Sequence, residues 1–366
     1  MSNTLFILGA GASRQAGAPL MSDFLRVADH VLKQGKVEKY RNHFVKVMNG
    51  KSALQAVHSK SKLEIDNIEV LFSAFEMAEA LGIPLEFNGV RLESLIESLK
   101  ILIAATIEAS LELPVEGGTP EAPRPYGSFA SLVEYLTNRT QPGESVAVIT
   151  FNYDLACEYA FFRANIPVSY ALECEPIAKE GMPLLKLHGS LNWANCPEKS
   201  QVVPYTIENH FRKHSWVIDH YKSDSVPRSV ALKFTPHLAD FKWDGNAVIP
   251  EPVIVPPTWN KTGYQGNMRC VWRRAAKEMR EAENIFVIGY SLPETDSFFR
   301  HLYALGSVGT VMLKRFCVFD PDPSGLVHKR FRNLLGPGAA DKYEPRKETF
   351  EMAIPIIKTF FPYTRH

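Results

Sequence analysis

The chain has 366 residues, 45% of them hydrophobic and 22% charged, with a formal net charge of +1. This is the composition expected of an ordinary soluble globular protein, long enough for one large domain with insertions or two modest ones. The near-neutral charge excludes a global pull toward nucleic acid or an anionic membrane, so no direct nucleic-acid binding is expected.

Met1-Ser2-Asn3-Thr4 leads straight into an apolar strand, Leu5-Phe6-Ile7-Leu8, without a basic leader. No apolar run reaches the roughly eighteen residues of a membrane span, so a cytoplasmic address with no membrane contact is expected. The strand runs into Gly9-Ala10-Gly11-Ala12-Ser13. A strand, a Gly-x-Gly turn and a helix let backbone approach a pyrophosphate, the helix N-terminus supplying amide donors. The same turn can also simply pack a helix against a sheet, and the spacing to Gly17 departs from the ordinary dehydrogenase fingerprint. Asp23 to Leu32 places Phe24, Val27, Ala28, Val31 and Leu32 on one helical stripe, the expected first crossover helix.

From about residue 38 to 140 the pattern predicts a helical insertion without a convincing buried strand. Its helices are expected over Ile68–Ala78, Arg91–Leu111 and Ser128–Thr137, and Pro114–Pro125, with Gly117-Gly118, is expected to be a surface loop. The sheet resumes at Ser145–Thr150, followed by a helix over Ala156–Ala164 and a strand over Leu184–Leu187. Residues 195–250, with Trp216, Tyr221, Phe234 and Trp243, carry no assignable pattern and are a candidate cover for a ligand cleft. Beyond them come Pro252–Pro257, a helix through Val271, Trp272, Ala275, Ala276 and Met279, and the strand Ile285–Ile288 leading into Gly289-Tyr290-Ser291. A final strand, Phe316–Phe319, ends at Asp320-Pro321-Asp322. Alternating strands and helices predict an α/β fold with a doubly wound, mostly parallel, Rossmann-like sheet. The segment 340–366, with Phe350, Met352, Ile354, Ile356 and Phe360-Phe361, is apolar enough to dock on the body or on another subunit.

Two polar clusters follow buried strands: Thr150-Phe151-Asn152-Tyr153-Asp154 and Leu187-His188-Gly189-Ser190. Strand ends are where an open α/β sheet builds its ligand site, and an imidazole there is poised for acid–base chemistry near neutral pH. Plainer roles stand beside this one. His188 can satisfy a turn, Asp154 can cap a helix from Leu155, and Gly289 and Ser291 can simply end a strand. Arg14 either meets a phosphate or is solvated, and Arg269, Arg273, Arg274, Lys277 and Arg280 read as a solvated helix face. The five cysteines are scattered without a C-x-x-C pair, so neither a disulfide framework nor a zinc knuckle is expected.

With Gly9-Ala10-Gly11-Ala12-Ser13, Thr150–Asp154, Leu187-His188-Gly189 and Gly289-Tyr290-Ser291 in this order, the chain resembles the sirtuin family over roughly 4–30, 145–195 and 250–325. The phrases Lys186–Trp193, Pro256-Pro257-Thr258-Trp259-Asn260-Lys261 and Gly289–Asp296 are more specifically similar to the sirtuin-like branch of bacterial anti-phage defence systems. The resemblance implies a single sirtuin-like domain with NAD+ as substrate. Sirtuin deacylases also carry a four-cysteine zinc module, whereas only Cys196 and Cys270 lie here between His188 and Gly289, so no zinc is expected and deacylation is disfavoured. Phe24-Leu25-Arg26 likewise arrives later than the Phe-Arg pair of those enzymes.

What remains implied is hydrolysis of NAD+ to ADP-ribose and nicotinamide, depleting NAD in infected cells. Carried over by position, Asn152 holds a ribose hydroxyl or the attacking water, Asp154 recognises the carboxamide, and His188 accepts a proton or polarises the water. Gly9, Ala10, Gly11 and Ser13 cradle the pyrophosphate, with Gly189, Gly289 and Ser291 also cofactor-binding and Asp320 a candidate for the adenosine ribose. The branch further implies a homo-oligomer and a HerA-type ATPase partner. An NAD-dependent protein deacylase and a non-catalytic NAD- or ADP-ribose-binding module are the alternatives.

Overall fold

The computed structural model describes residues 3–55, 63–139, 144–174, 181–213, 228–256, 265–294 and 296–362. Seven strands, β1 (Thr4–Leu8), β2 (Val146–Thr150), β3 (Val168–Ser169), β4 (Met182–Lys186), β5 (Asn284–Ile288), β6 (Arg315–Phe319) and β7 (Tyr343–Arg346), form one sheet in the order β7-β6-β5-β1-β2-β4-β3. All neighbours in it are parallel. Every residue of β1, β2, β4 and β5 is buried, as continuous apolar runs require when helices cover both faces of a parallel sheet.

The chain builds outward from β1 through β2 toward β4 and β3, then returns to start again with β5 on the other side of β1. That reversal is a topological switch point, and diverging loops open a crevice there at the carboxyl ends of the strands. The register sets Leu8 level with both Thr150 and Ile288, and Thr150 level with Lys186, so four strands deliver their following loops at one height.

Phe6 meets Phe129 edge-on, and Phe129 meets Phe350, so the helices Tyr126–Thr137 and Phe350–Thr359 pack on the central strand. The helices Arg41–Leu54, Ile68–Ala80 and Leu95–Ser110 build a second core around Phe44, Leu71, Phe72, Phe75, Leu99 and Leu102. Tyr153, Leu191 and Ile254 belong to that second core as well. The insertion therefore rests on the loops that carry the polar clusters and holds them from above.

Several expectations need correction. The helix expected over Arg91–Leu111 begins only at Leu95, because Val90–Leu92 pairs with Leu85–Phe87 instead. Pro114–Pro125 is not a surface loop: Glu112–Glu116 pairs with Thr119–Pro120 and with Ser229–Ala231 around a turn at Gly117-Gly118, and Leu113 is buried. Phe316–Phe319 is not the final strand, since β7 follows. Its charged, proline-containing sequence suits an edge strand and carries no apolar run to betray it. In the C-terminal helix Phe350, Ala353, Ile354 and Ile357 are buried against the body, while Met352 is 56% exposed.

Cys174 and Cys270 are joined in a disulfide with their Cα atoms 4.9 Å apart, where no disulfide framework was expected. The pairing spans 96 residues and arises because the helix Gln265–Glu281 lies beside the loop after β3, a proximity no local spacing reveals. Cys157, Cys196 and Cys317 are free and buried. Among the described residues no helix is long and apolar enough to cross a membrane.

Candidate functional site

The turn after β1 and the turn after β5 touch through their backbones at the switch point. Gly9 N donates to Ile288 O at 3.1 Å and Gly11 N to Gly289 O at 2.9 Å. A Cβ on Gly9 would lie 2.5 Å from Tyr290 Cα, and one on Gly289, whose φ is +64°, 2.2 Å from Ala12 N. The glycines are therefore required first by the approach of one turn to the other. The helix expected directly after Gly-x-Gly is only a 3-10 segment, Ala10–Ser13, and the first α-helix starts at Phe24, so no α-helical N-terminus stands over this turn.

Asn152 ties the turn to β2. Its Nδ2 donates to Gly9 O and to Ser13 Oγ, both at 2.9 Å. Gly9 O can only accept, which fixes the amide orientation. Ser13 Oγ lies 2.7 Å from Tyr126 OH, so the serine hydroxyl is turned into the protein and the cradle it was expected to supply is left to backbone. Burial, with Asp154 nearby, pushes the Tyr126 phenol well above its usual range, so it acts only as a neutral hydrogen-bonding group. Among the described residues no hydrogen bond reaches Asn152 Oδ1, and that atom is not enclosed among the buried unsatisfied atoms. The side-chain amide is thus held through its nitrogen, with the carbonyl oxygen left over.

Asp154 behaves as a cap: its Oδ1 accepts from Ala156 N at 3.0 Å at the start of the helix Ala156–Arg163. Lys186, fully buried at the end of β4, pairs with Glu158 at 2.6 Å and donates to Asp154 O at 2.6 Å. The loop carrying Asn152 and Asp154 is thus bolted to the next strand. Burial raises the Glu158 carboxyl while Lys186 opposes that rise.

His188 follows β4 on the same edge. Its backbone O accepts from Val255 N at 2.8 Å, and Gly189-Ser190 pairs with Val253–Ile254. Gly189, with φ +86°, would set a Cβ 2.0 Å from Val253 O, which gives this expected cofactor residue a structural reason of its own. The imidazole packs edge-on against Phe151 at 5.1 Å, and Phe151 stacks on Tyr290 at 3.9 Å. His188 Nε2 lies 3.7 Å from Asp296 Oδ2, which accepts from Tyr290 OH at 2.8 Å.

Asn152, His188 and the two glycine turns therefore meet at adjacent strand ends. Ser291 is exposed, its carbonyl accepting from Arg330 at 3.3 Å. Asp320, at the end of β6, accepts from Asp322 N at 2.9 Å, and partial burial pushes its carboxyl upward. Both stand on the β5–β6 side of the crevice. Pro257-Thr258-Trp259-Asn260-Lys261, Thr295, Trp216 and Tyr221 lie outside the described residues. Sequence reasoning passed over Tyr126, Lys186, Glu158, Tyr290 and Asp296. Only Lys186, a lone cation inside an apolar strand, carried a visible signal.

A cleft of about 1420 Å³ lies elsewhere, between β3, the strand Gln201–Pro204 and the helix Gln265–Glu281. Tyr170, Val203, Arg273 and Lys277 line it, and neither Asn152, His188 nor a glycine turn does. Its charged lining includes Glu158, Glu173, Arg273, Arg274, Lys277 and Arg280, without the amide and imidazole of the strand ends. Among the described residues no group of His, Cys, Asp and Glu is arranged to hold a metal ion. Cys196 is buried in the core and Cys270 is tied to Cys174.

No family model and no curated protein matches the chain. Among solved structures it is similar to a Sir2 homolog in complex with NAD, at 16% identity and TM-score 0.41, covering 99% of this chain and 91% of that one. A Sir2 protein bound to a propionylated peptide matches at 14% identity and TM-score 0.36, covering 98% and 92%. A structure described as the structural basis of sirtuin substrate affinity matches at 15% identity and TM-score 0.39, covering 98% and 94%. With TM-scores below 0.5, these likenesses assign no activity, substrate or partner to this chain.

Proposed function

We propose that the protein is an NAD+ glycohydrolase whose reaction takes place in the switch-point crevice. The observation that carries this reading is Asn152: its amide nitrogen is locked onto the glycine turn while its carbonyl is left for a ligand, on the strand end next to His188. The sequence phrases shared with the sirtuin-like defence branch supply the substrate class.

In this reading the pyrophosphate lies along the Gly9-Ala10-Gly11 and Gly289 turns, whose Gly9, Gly11 and Gly289 amides already donate to Ile288 O, Gly289 O and Phe319 O and so must be shared or released to meet it, and Ser291 and Asp320 face the adenosine half. Asp154, already capping its helix, meets the carboxamide only through its second carboxylate oxygen. The C1′–N bond breaks with its electron pair going to the pyridinium nitrogen, which leaves as neutral nicotinamide. Water adds to the oxocarbenium-like C1′, and its proton passes to His188 and then to solvent. Asn152 Oδ1 accepts a hydrogen bond from the attacking water or a ribose hydroxyl.

The biological role in this proposal is depletion of NAD as an anti-phage effector, restrained within a homo-oligomer and by a HerA-type ATPase. Incubating the purified protein with NAD+, alone, with such an ATPase, or with an acyl-lysine peptide, and separating products by chromatography tests it. Equal release of ADP-ribose and nicotinamide without peptide, lost in His188→Ala, is expected. Turnover that demands the acyl peptide would replace this reading with deacylation, and bound NAD+ that is never cleaved would replace it with a binding module.

A further inference from the structure

We propose that Asp296 is a positioning residue for His188, orienting the imidazole and balancing the charge it acquires when it takes the proton. This rests on the NAD-hydrolase reading of the same crevice.

Asp296 is 1% exposed and does two things with two oxygens. Oδ1 accepts from Phe299 N at 3.3 Å, capping the helix Ser297–Gly306. A cap needs only one oxygen, and Ser, Thr or Asn serves as well without a buried charge. The second oxygen shows why a carboxylate stands here. Oδ2 accepts from Tyr290 OH at 2.8 Å and faces His188 Nε2 at 3.7 Å.

The surroundings leave the ring little choice of orientation. Phe151 stands edge-on to His188 and stacks on Tyr290, Tyr153 lies 6.2 Å from the imidazole, and Phe299 packs edge-on against both Phe151 and Tyr290. The remaining charged groups in electrostatic reach of Tyr290 are Glu69, from the helix Ile68–Ala80, and Arg300. An opposite charge this close favours the protonated imidazole, and a carboxylate held by a tyrosine and a backbone amide stays in place as His188 changes charge. Catalytic hydrogen bonds are often long in the unliganded protein and tighten in the substrate complex, which leaves a pair at 3.7 Å within working reach.

Asp296→Asn keeps the cap and removes the charge. The expected result is a fall in kcat of tenfold or more with KM little changed. The acid limb of the pH–rate profile should move to lower pH by about one unit, since the shift from a neighbouring charge is roughly one to three. Tyr290→Phe removes the phenol's hydrogen bond from Oδ2, strengthens the carboxylate's pull on His188 and moves the same limb upward. NMR titration of the His188 imidazole in the unliganded protein reads the coupling without turnover, and it should fall by about one unit in Asp296→Asn. If wild type does not cleave NAD+ yet this titration shifts, the hydrolase reading fails and the pairing stands. An unmoved titration and pH profile in Asp296→Asn, or in Tyr290→Phe where the first variant does not fold, overturns the proposal.

Discussion

Two buried acid–base pairs stand on the same edge of this sheet and are built in opposite ways. Lys186 and Glu158 sit 2.6 Å apart at 1% and 2% exposure, and the ammonium also holds Asp154 O at 2.6 Å and lies 3.5 Å from Tyr153 O. His188 and Asp296 are equally hidden but 3.7 Å apart, beyond hydrogen-bond distance, with the carboxylate already held by Tyr290 and Phe299. The first pair is locked and joins a strand to the helix Ala156–Arg163. The second retains slack, which a group that gains and loses a proton needs.

Breaking the locked pair should have the largest effect. Lys186→Met leaves Glu158 buried without its counter-ion, with an expected loss of about 3–5 kcal/mol in urea unfolding, most of it recovered in Lys186→Met/Glu158→Leu. A loss below about 1 kcal/mol would remove the distinction between the pairs. His188→Ala should do the reverse: NAD+ turnover falls at least about 100-fold, equivalent to roughly 2.7 kcal/mol of barrier, with a smaller loss of folding stability than Lys186→Met.

A third buried acid, Glu108, sharpens the contrast because among the described residues it has no cationic hydrogen-bond partner. It accepts from Phe234 N at 2.7 Å, Thr235 N at 2.8 Å and Thr235 Oγ1 at 2.6 Å, anchoring the aromatic region 228–250 to the insertion. Glu108→Ala should cost about 1–3 kcal/mol through the unmet amides. Burial pushes the Glu108 carboxyl up against the pull of those bonds, so the folded state holds the proton more tightly than the unfolded one. Its contribution to stability therefore falls as pH rises from the unfolded carboxylate range, about 4.3, through the folded value. Glu108→Gln should flatten that slope in unfolding measured across pH, the smallest effect of the series.

Much of the sheet was legible because β1, β2, β4, β5 and β6 are apolar runs ending in glycine or polar clusters. β7 was not, since an edge strand with Glu344 and Arg346 has no apolar pattern to display. The positions of Asn152, His188, Gly9, Gly11 and Gly289 could be read from where their strands end. Their partners could not. Tyr126 reaches Ser13 across 113 residues and Asp296 reaches His188 from the start of another helix, contacts that only the folded sheet creates. The glycines were read as phosphate turns, and the structure adds that Gly9 and Gly289 are needed for the turns to touch at all.

Hydrogen–deuterium exchange with a non-cleavable carbocyclic NAD analogue tests the central claim most directly, because it asks which end of the molecule the nucleotide covers. Protection is expected at Gly9–Ser13, Thr150–Asp154, Leu187–Ser190, Ile288–Leu292 and Phe319–Asp322. Protection instead along Val168–Cys174 and the helix Gln265–Glu281, where the large cleft lies, would contradict it.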